Sequence, residues 1–308
     1  MQENKKIIPR YPNFAPKAIT FTIDDGNVDS DKIMLDILRP VGIKGTFNLT
    51  LPAFLSPEEY RELYQGYEIA NHVAYHPFAL DDSIEYSYVD VAPDSAEPSE
   101  EILYPVREGF YKKMLPRGWR EVADTPTYIR CIDECRERLE EIFGEGSVGS
   151  FVWPYCEQNN REIKAHIAAE GYYAARKTGS VRDTTDFALP EDKMAWSYNI
   201  DDRGLIELME LYDACEDNGS LRFFAFGVHS NDFVEHGTVP DLRLFAEKYG
   251  NRSDEYFYAT VGEIFSYADA MERLYTEGDT VYNPTDTTLY FEYDGGRYIL
   301  EGGSHTEL

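Results

Sequence analysis

Three stretches of the sequence place acids or imidazoles where they could do chemistry. Asp24 and Asp25 are adjacent, His72 and His76 are four residues apart, and His229 stands alone. A spacing of four on a helical turn brings two imidazoles to one side, where they can share a metal ion. A carboxylate and two imidazoles leave open positions on zinc for water and substrate, as a catalytic site requires. One of two adjacent acids can then bind the ion while the other handles a proton.

Each of these stretches follows a predicted strand. Residues 19–23 are apolar and β-branched, which is typical of a parallel strand with both faces covered. Residues 68–71 and 221–228 precede the histidines in the same way. Active sites of α/β barrels lie at the carboxyl ends of their strands, so these side chains can converge. Taken singly, the acids also fit an Asp-Gly turn and the histidines fit surface or structural roles, but three strand ends together favour function.

The rest of the chain repeats a strand-then-helix pattern seven or eight times, which favours a (β/α) barrel, complete or distorted. Further strands are predicted at residues 45–49, 150–153, 172–175, 194–198 and 256–260. Helices are predicted at residues 31–39, 57–65, 128–143, 162–170, 205–215, 242–249 and 261–275. We expect Asp29 or Ser30 to cap the first helix and Ser56 to open a capping box with Glu59 at the second.

Two segments do not follow this repeat. Residues 80–126 are acidic, with scattered aromatics and little periodicity, and we expect a long insertion over the mouth of the barrel. The sequence leaves open whether it covers a pocket or forms a homodimer contact. Residues 288–293 and 297–301 alternate around an Asp-Gly-Gly turn and predict a β-hairpin. We therefore divide the chain into a barrel domain, residues 1–276, and a β-hairpin appendage, residues 277–308.

Composition limits the classes of partner. The 308 residues carry a net charge of −28, and this negative field repels phosphates, so we expect no nucleic-acid or anionic-membrane partner. Cys131 and Cys135 share a helical spacing, but without a second thiol pair or a nearby histidine we expect buried free thiols. The chain has neither a membrane-spanning apolar run nor a signal-peptide core, so we expect a cytoplasmic protein as the sequence stands. An extracytoplasmic location stays open if a signal peptide has been removed.

Four short motifs occur in a characteristic order: T-I-D-D-G at residues 22–26, N-H-V-A-Y-H-P at 71–77, F-V-W-P-Y at 151–155 and F-G-V-H at 226–229. Together they resemble the NodB-like polysaccharide deacetylases, carbohydrate esterase family 4. The resemblance covers residues 17–275 apart from the insertion. It implies a distorted (β/α) barrel, which agrees with the alternation of strands and helices.

The resemblance also implies a role for each matching residue. Asp25, His72 and His76 correspond to the ligands of a divalent metal, usually zinc. Water bound to this metal would attack the acetyl carbonyl of a saccharide, with Asp24 as the general base. The remaining expected roles are oxyanion binding by the backbone N–H of Tyr155, general acid catalysis by His229, and orientation of that histidine by Asp201 or Asp202.

The sequence departs from the family pattern at two points. The third motif lacks its usual arginine, which pairs with the base, and Arg176 at the next strand end is our candidate replacement. Val73 removes the hydroxyl that usually follows the first histidine of the second motif. Trp153 and Trp196 either contact substrate or fill the core, and the usual burial of tryptophan favours the core.

Three functions are compatible with these motifs. The leading one is metal-dependent removal of N- or O-acetyl groups from a carbohydrate. The alternatives are hydrolysis of a non-sugar C–N bond, as in allantoinase-like members of the superfamily, and carbohydrate binding without catalysis. A non-catalytic relative would be favoured by loss of Asp24 or of a ligand, and none of these residues is lost.

Overall fold

The computed structural model describes residues 6–90, 97–116, 118–177 and 187–308. In chain order the strands are β1 (Ile8–Arg10), β2 (Lys17–Asp24), β3 (Gly45–Leu49), β4 (Glu68–Asn71), β5 (Phe78–Ala79), β6 (Ser87–Tyr88), β7 (Ile102–Arg107), β8 (Phe110–Leu115), β9 (Gly118–Ala123), β10 (Ser150–Val152), β11 (Ala174–Arg176), β12 (Arg222–His229), β13 (Tyr256–Tyr258), β14 (Tyr275–Glu277), β15 (Thr280–Tyr282), β16 (Leu289–Tyr293), β17 (Gly296–Leu300) and β18 (His305–Glu307). The helices are α1 (Val28–Leu38), α2 (Pro57–Leu63), α3 (Thr125–Phe143), α4 (Arg161–Ala169), α5 (Leu205–Asp213), α6 (Ser230–Glu235), α7 (Val239–Tyr249) and α8 (Val261–Glu272).

Parallel strands form the central sheet in the order β11-β10-β4-β3-β2-β12, and β13 pairs with the first half of β2. All eight residues of β2 are buried, as its apolar sequence predicts. Two bridges, Arg176 to Trp196 and Ile200 to Phe226, join the outer strands β11 and β12 through the irregular backbone between them. The sheet therefore curls into a distorted (β/α) barrel, which confirms the predicted fold class.

The strand predicted at residues 194–198 is wrong. A 3-10 turn, Lys193–Ala195, occupies its first half, and only isolated bridges follow in the described residues. Asp192 Oδ1 accepts a hydrogen bond from the Met194 N–H at 2.8 Å. This local bond competes with strand pairing, so the barrel closes here without a regular strand.

Side-chain caps fix where the first two helices begin. Ser56 and Glu59 form the predicted capping box at α2, with Pro57 in the first helical turn. At α1 the prediction is wrong, because Asn27 Oδ1 accepts the Ser30 N–H at 3.3 Å. The helix therefore begins at Val28, ahead of the expected cap residues.

The helices direct their apolar faces into the core. In α3, Tyr128, Ile132 and Leu139 are buried together with Cys131 and Cys135. Both thiols are free and buried, as the sequence predicted. Within the described ranges, no helix combines the length and the apolar character needed to cross a bilayer.

The segment predicted as an insertion contains regular structure. Strands β5 to β9 form a sheet of order β5-β9-β8-β7-β6, here called the inserted sheet, and residues 91–96 and 117 lie outside the described part. Asn160 Nδ2 donates to the Leu80 carbonyl oxygen at 2.9 Å, and Asp82 Oδ2 accepts the Arg161 N–H at 2.7 Å. Because Asn160 lies beyond the carboxyl end of β10, these bonds hold the segment at the mouth of the barrel.

The C-terminal hairpin forms as predicted, from β16 and β17. It is not isolated, since β1 pairs with β16 and completes a three-stranded sheet. Arg10, at the end of β1, pairs with Asp217 at 2.5 Å and with Glu292 at 2.8 Å. Strands β14, β15 and β18 form a second small sheet. Strand β1 is therefore tied to the C-terminal hairpin, which the sequence did not predict.

A buried acid lies where α1 meets α2. Asp31 is fully buried, and Tyr64 Oη donates to its Oδ2 atom at 2.6 Å. Burial raises the pKa of Asp31 to about 6, from a usual value of 3.8. At neutral pH the folded protein therefore carries a buried charge that the unfolded chain would expose to water.

We compare the free energy of unfolding of Asp31→Asn with that of wild type. The difference, variant minus wild type, should rise by about 2 kcal/mol between about pH 4.5 and about pH 7. An acid with a raised folded-state pKa stabilises the fold below its unfolded pKa and loses this contribution as pH rises through the folded pKa. Urea unfolding at both pH values measures the effect. Tyr64→Phe keeps the acid and removes a hydrogen bond that lowers its pKa, so its stability should depend on pH at least as steeply as that of wild type. A stability difference between Asp31→Asn and wild type that does not change with pH would contradict the assignment.

Candidate metal centre and active site

The three predicted metal ligands converge at the mouth of the barrel. Asp25 Oδ1 lies 3.4 Å from the Nε2 atoms of both His72 and His76, and these two nitrogens are 3.2 Å apart. Ligands at about 2.0–2.1 Å from a tetrahedral zinc ion would be separated by about 3.3 Å. The three atoms therefore have the spacing of ligands to one ion.

The hydrogen bonds around the ligands also fit a cation. Asp25 Oδ1 is inaccessible to solvent and accepts no hydrogen bond from any part of the chain that the structure describes. The Nδ1 atom of His72 lies 3.0 Å from the Val152 carbonyl oxygen. A proton on Nδ1 satisfies that carbonyl and leaves the lone pair on Nε2, the atom that faces the other ligands. The donor set is thus suited to a metal such as zinc.

The ionisation of the ligands suits the same role. Burial and the adjacent His72 lower the pKa of His76 to about 4, so its ring is neutral at physiological pH. Burial opposes ionisation of Asp25, but the adjacent His72 and the other neighbouring imidazoles lower its pKa below the usual value. A neutral imidazole and an ionised carboxylate are the forms that bind metals.

Two of the ligands and three residues near them have an unusual backbone conformation. Asp25, Val73, Tyr75, His76 and Tyr155 all have positive φ, between 50° and 74°. The His76 N–H donates to the Val73 carbonyl oxygen at 3.2 Å, which closes one tight turn, and proline follows at the next position. Side chains rarely adopt this conformation unless the surroundings impose it, and such residues concentrate at functional sites.

Asp24, the predicted base, lies at the end of β2 between β12 and β3. Its Oδ1 atom accepts hydrogen bonds from Asn48 Nδ2 at 2.6 Å and from the guanidinium of Arg176. Burial would raise the pKa of Asp24, but Arg176 and the nearby imidazoles outweigh it and hold the pKa below its usual value. Arg176 thus lies where the missing motif arginine was expected to act.

The structure corrects the expected partner of His229. Its Nδ1 atom lies 3.0 Å from Asp232 Oδ2, and its Nε2 atom lies 3.6 Å from Asp25 Oδ2. Asp201 instead accepts the backbone N–H of Arg203 at 3.0 Å, and Asp202 accepts from His236 and Thr238. Asp201 and Asp202 lie in the turn before α5 and bond to other groups there. Asp232, three residues after His229, is therefore the acid that contacts this histidine.

The third motif supplies one residue to the site and one to the core. Trp153 is 2% exposed and stacks against Tyr128, so it does not contact substrate. Trp196 is buried too. Tyr155 is 36% exposed, with its ring centroid 4.7 Å from that of His76. The Tyr155 backbone N–H donates to no acceptor within the described ranges, so it is free to bind an oxygen at the mouth.

Two features of the site were missed at the level of sequence: Asn48, and the contact of Asp232 with His229, since Asp232 was expected only to lie at the mouth. Asn48 is the second-to-last residue of β3, and a single amide between Phe47 and Leu49 near a strand end was the available signal. Asp232 follows His229 at the spacing of one helical turn, which α6 provides. No helix was predicted after His229, so the spacing of three residues did not indicate that Asp232 contacts this histidine.

Comparisons with known proteins address the family directly. The family model described as polysaccharide deacetylase matches residues 12–175, which is more than half of the chain. None of the curated proteins compared with the sequence matches it.

Solved structures were compared as well. A Mycobacterium smegmatis protein assigned to the polysaccharide deacetylases is 16% identical, with a TM-score of 0.52, over 89% of this chain and 99% of that one. A chitin deacetylase from Colletotrichum lindemuthianum is 15% identical, with a TM-score of 0.44, over 81% of this chain and 87% of that one. The likeness to the Mycobacterium protein shows a shared fold. With the match to the family model, the motifs place the chain in a family: it belongs to the polysaccharide deacetylases, the NodB-like carbohydrate esterase family 4.

Proposed function

We propose that this protein is a zinc-dependent hydrolase that removes N- or O-acetyl groups from a saccharide. The observation that carries the proposal is the convergence of three side chains, Asp25, His72 and His76. Next to them lie an acid that is not one of these ligands, Asp24, and a third histidine, His229. Asp24 and His229 are retained, which argues against a binding protein without catalysis. The free Tyr155 N–H completes a set of groups able to activate water and stabilise an oxyanion.

Asp25, His72 and His76 would hold the ion. When bound, zinc supplies a Lewis acid that lowers the pKa of a coordinated water and polarises the acetyl carbonyl. Asp24 takes a proton from the attacking water. Its other contacts, to Asn48 and Arg176, fix the carboxylate and keep it ionised.

Two further groups act on the acetyl carbonyl and the leaving group. The Tyr155 N–H donates to the carbonyl oxygen as it gains negative charge, and one such donor is typically worth about 3–4 kcal/mol in the transition state. His229 gives its Nε2 proton to the departing amine or alkoxide. Burial would lower the pKa of His229, but Asp24, Asp25 and Asp232 raise it above the usual value, which favours the protonated acid.

An assay of two products tests the proposal. Zinc-loaded protein is incubated with acetylated chito- and xylo-oligosaccharides and with small ureides, and acetate and ammonia are measured. Acetate release from at least one saccharide is the expected result. Ammonia from ureides, with no acetate from any saccharide, would replace the proposal with C–N hydrolysis of a non-sugar substrate.

The orienting role of Asp232 gives a separate prediction. We expect Asp232→Ala to lower kcat about ten- to a hundredfold, because His229 loses the acceptor that fixes its ring and the proton is delivered less efficiently. Zinc affinity should not change, since Asp232 is not a ligand. Steady-state kinetics and zinc titration measure the two quantities.

Asp201→Ala is the matched control, because it removes the acid that the sequence had favoured. Its kcat should stay within about twofold of wild type, since the bond that Asp201 makes among the described residues is to a backbone N–H in its own turn. A larger loss for Asp201→Ala than for Asp232→Ala would reverse our assignment.

A further inference from the structure

Arg120, on the last strand of the inserted sheet, reaches the edge of the active site. Its guanidinium carbon lies 5.5 Å from the ring centroid of Tyr155. The same ring contacts His76 on one side and stacks on Phe78, 5.3 Å away, on another. One aromatic ring therefore separates this positive charge from a candidate metal ligand.

No acid pairs with Arg120 in the part of the chain that the structure describes. Within the described ranges it makes one hydrogen bond, from NH1 to the Trp119 carbonyl oxygen at 2.9 Å, and no ion pair. Two other cations of the inserted sheet are paired, Arg107 with Glu121 at 3.0 Å and Lys113 with Glu100 at 3.3 Å, whereas Lys112 on β8 has no ion pair in the described ranges. In a chain of net charge −28, Arg120 is distinguished by its place at the mouth, where it offers an incoming anion a partly exposed cation that no described acid pairs with.

The surroundings prepare Arg120 for such a ligand. Contact with the Tyr155 ring and the bond to its own strand restrict the side chain before any ligand arrives, which lowers the entropy lost on binding. A guanidinium presents a planar fork of N–H donors that matches a carboxylate with two parallel hydrogen bonds. A neutral sugar offers no group of equal strength.

We infer that Arg120 binds a carboxylate of the substrate, so that the preferred substrate is an acetylated saccharide carrying an acidic sugar. The carboxylate lies on the acetylated residue or on its neighbour. This inference rests on the proposed deacetylase function and specifies its substrate class. The inserted sheet is then a specificity element: it adds a cationic subsite beside the metal centre.

The test compares pairs of substrates that differ only in the carboxylate. Acetylated glucuronoxylo-oligosaccharides and N-acetylmuramic-acid-containing oligosaccharides are used with the carboxyl group free or reduced to the alcohol. Wild-type kcat/KM should be at least about tenfold higher for the free acid of one pair. This preference should shrink as salt rises from about 20 to about 300 mM, because dissolved ions screen a charge-assisted contact.

Arg120→Met should remove the preference. We expect its kcat/KM to fall about ten- to thirtyfold on the acidic substrate, mainly through KM, and less than about twofold on the reduced one. Arg120→Lys should retain part of the preference, because charge remains but the fork is lost. Arg273→Met, which removes an exposed cation at the end of α8, is the control for net charge and should leave the preference intact.

Binding provides a readout that does not need catalysis. Calorimetry of the zinc-free protein with the deacetylated acidic oligosaccharide should show affinity about tenfold weaker for Arg120→Met. Equal losses on acidic and reduced substrates, or no wild-type preference, would overturn the inference. If zinc-loaded wild type releases no acetate from any saccharide, the proposed function fails, and the binding comparison still decides whether Arg120 recognises a carboxylate.

Discussion

Replacing His72 by alanine is expected to lower deacetylase activity by more than about a thousandfold, because loss of the ion removes several kcal/mol of transition-state stabilisation. His72 is 1% exposed, and its Nε2 atom is within 3.4 Å of both other candidate ligands. The measurements are acetate release and the zinc content of the protein after dialysis against a defined free zinc concentration.

A histidine away from the mouth provides the control. His166 on α4 contacts Asp133 at 2.6 Å on the surface, so His166→Ala should keep both zinc and activity. Circular dichroism of each variant separates loss of metal from loss of fold. His72→Ala protein that is folded, binds one zinc with wild-type affinity and remains active would remove Asp25, His72 and His76 as the ligand set.

The parts of the site that could be predicted from sequence lie within single short motifs. Asp24, Asp25 and His72 each come directly after a buried strand, and parallel strands bring their carboxyl ends together. The spacing of the apolar residues was therefore enough to predict both the fold and the position of these side chains. Most helices were predicted to within a few residues for the same reason, since apolar spacing and caps are local features.

The contacts that could not be predicted join residues far apart in the chain or depend on a local turn. Asp201 and Asp232 are equally plausible partners for His229 in sequence, and only the turn before α5 removes the first from consideration. The strand predicted at residues 194–198 failed because a cap at Asp192 outweighed its β-propensity.

The inserted sheet shows a different limit of sequence reasoning. Its strands are short and partly exposed, so they have little apolar periodicity, and an acidic composition gave the segment the character of a loop. Its antiparallel strands are stabilised mainly by pairing with one another and with β5. The position of Arg120 over Tyr155 depends on that pairing and had no signal in the sequence.

Replacing Arg176 by methionine is expected to lower the free energy of unfolding by about 3–5 kcal/mol and kcat by about a hundredfold. Arg176 is 0% exposed and donates to Asp24, while its Nε and NH1 atoms have no hydrogen-bond partner in the described ranges. The carboxylate of Asp24 is therefore the main compensation for a buried cation. Without Arg176, that carboxylate becomes a buried and unpaired charge, and it also loses the contact that fixes the base.

A double-mutant cycle separates the pair from the packing of its side chains. Asp24→Asn alone leaves the guanidinium unpaired and should also destabilise the protein, whereas Asp24→Asn with Arg176→Met removes both charges and should recover part of the lost stability. Activity should not recover in the double variant, because the base is absent. Urea unfolding of all four proteins measures the coupling, and Arg176→Lys, which keeps the charge, covers the case in which the methionine variant does not fold. Additive losses around the cycle would mean that Arg176 acts by filling space against Tyr198, whose ring centroid is 5.2 Å from the guanidinium carbon, and not by pairing with the base.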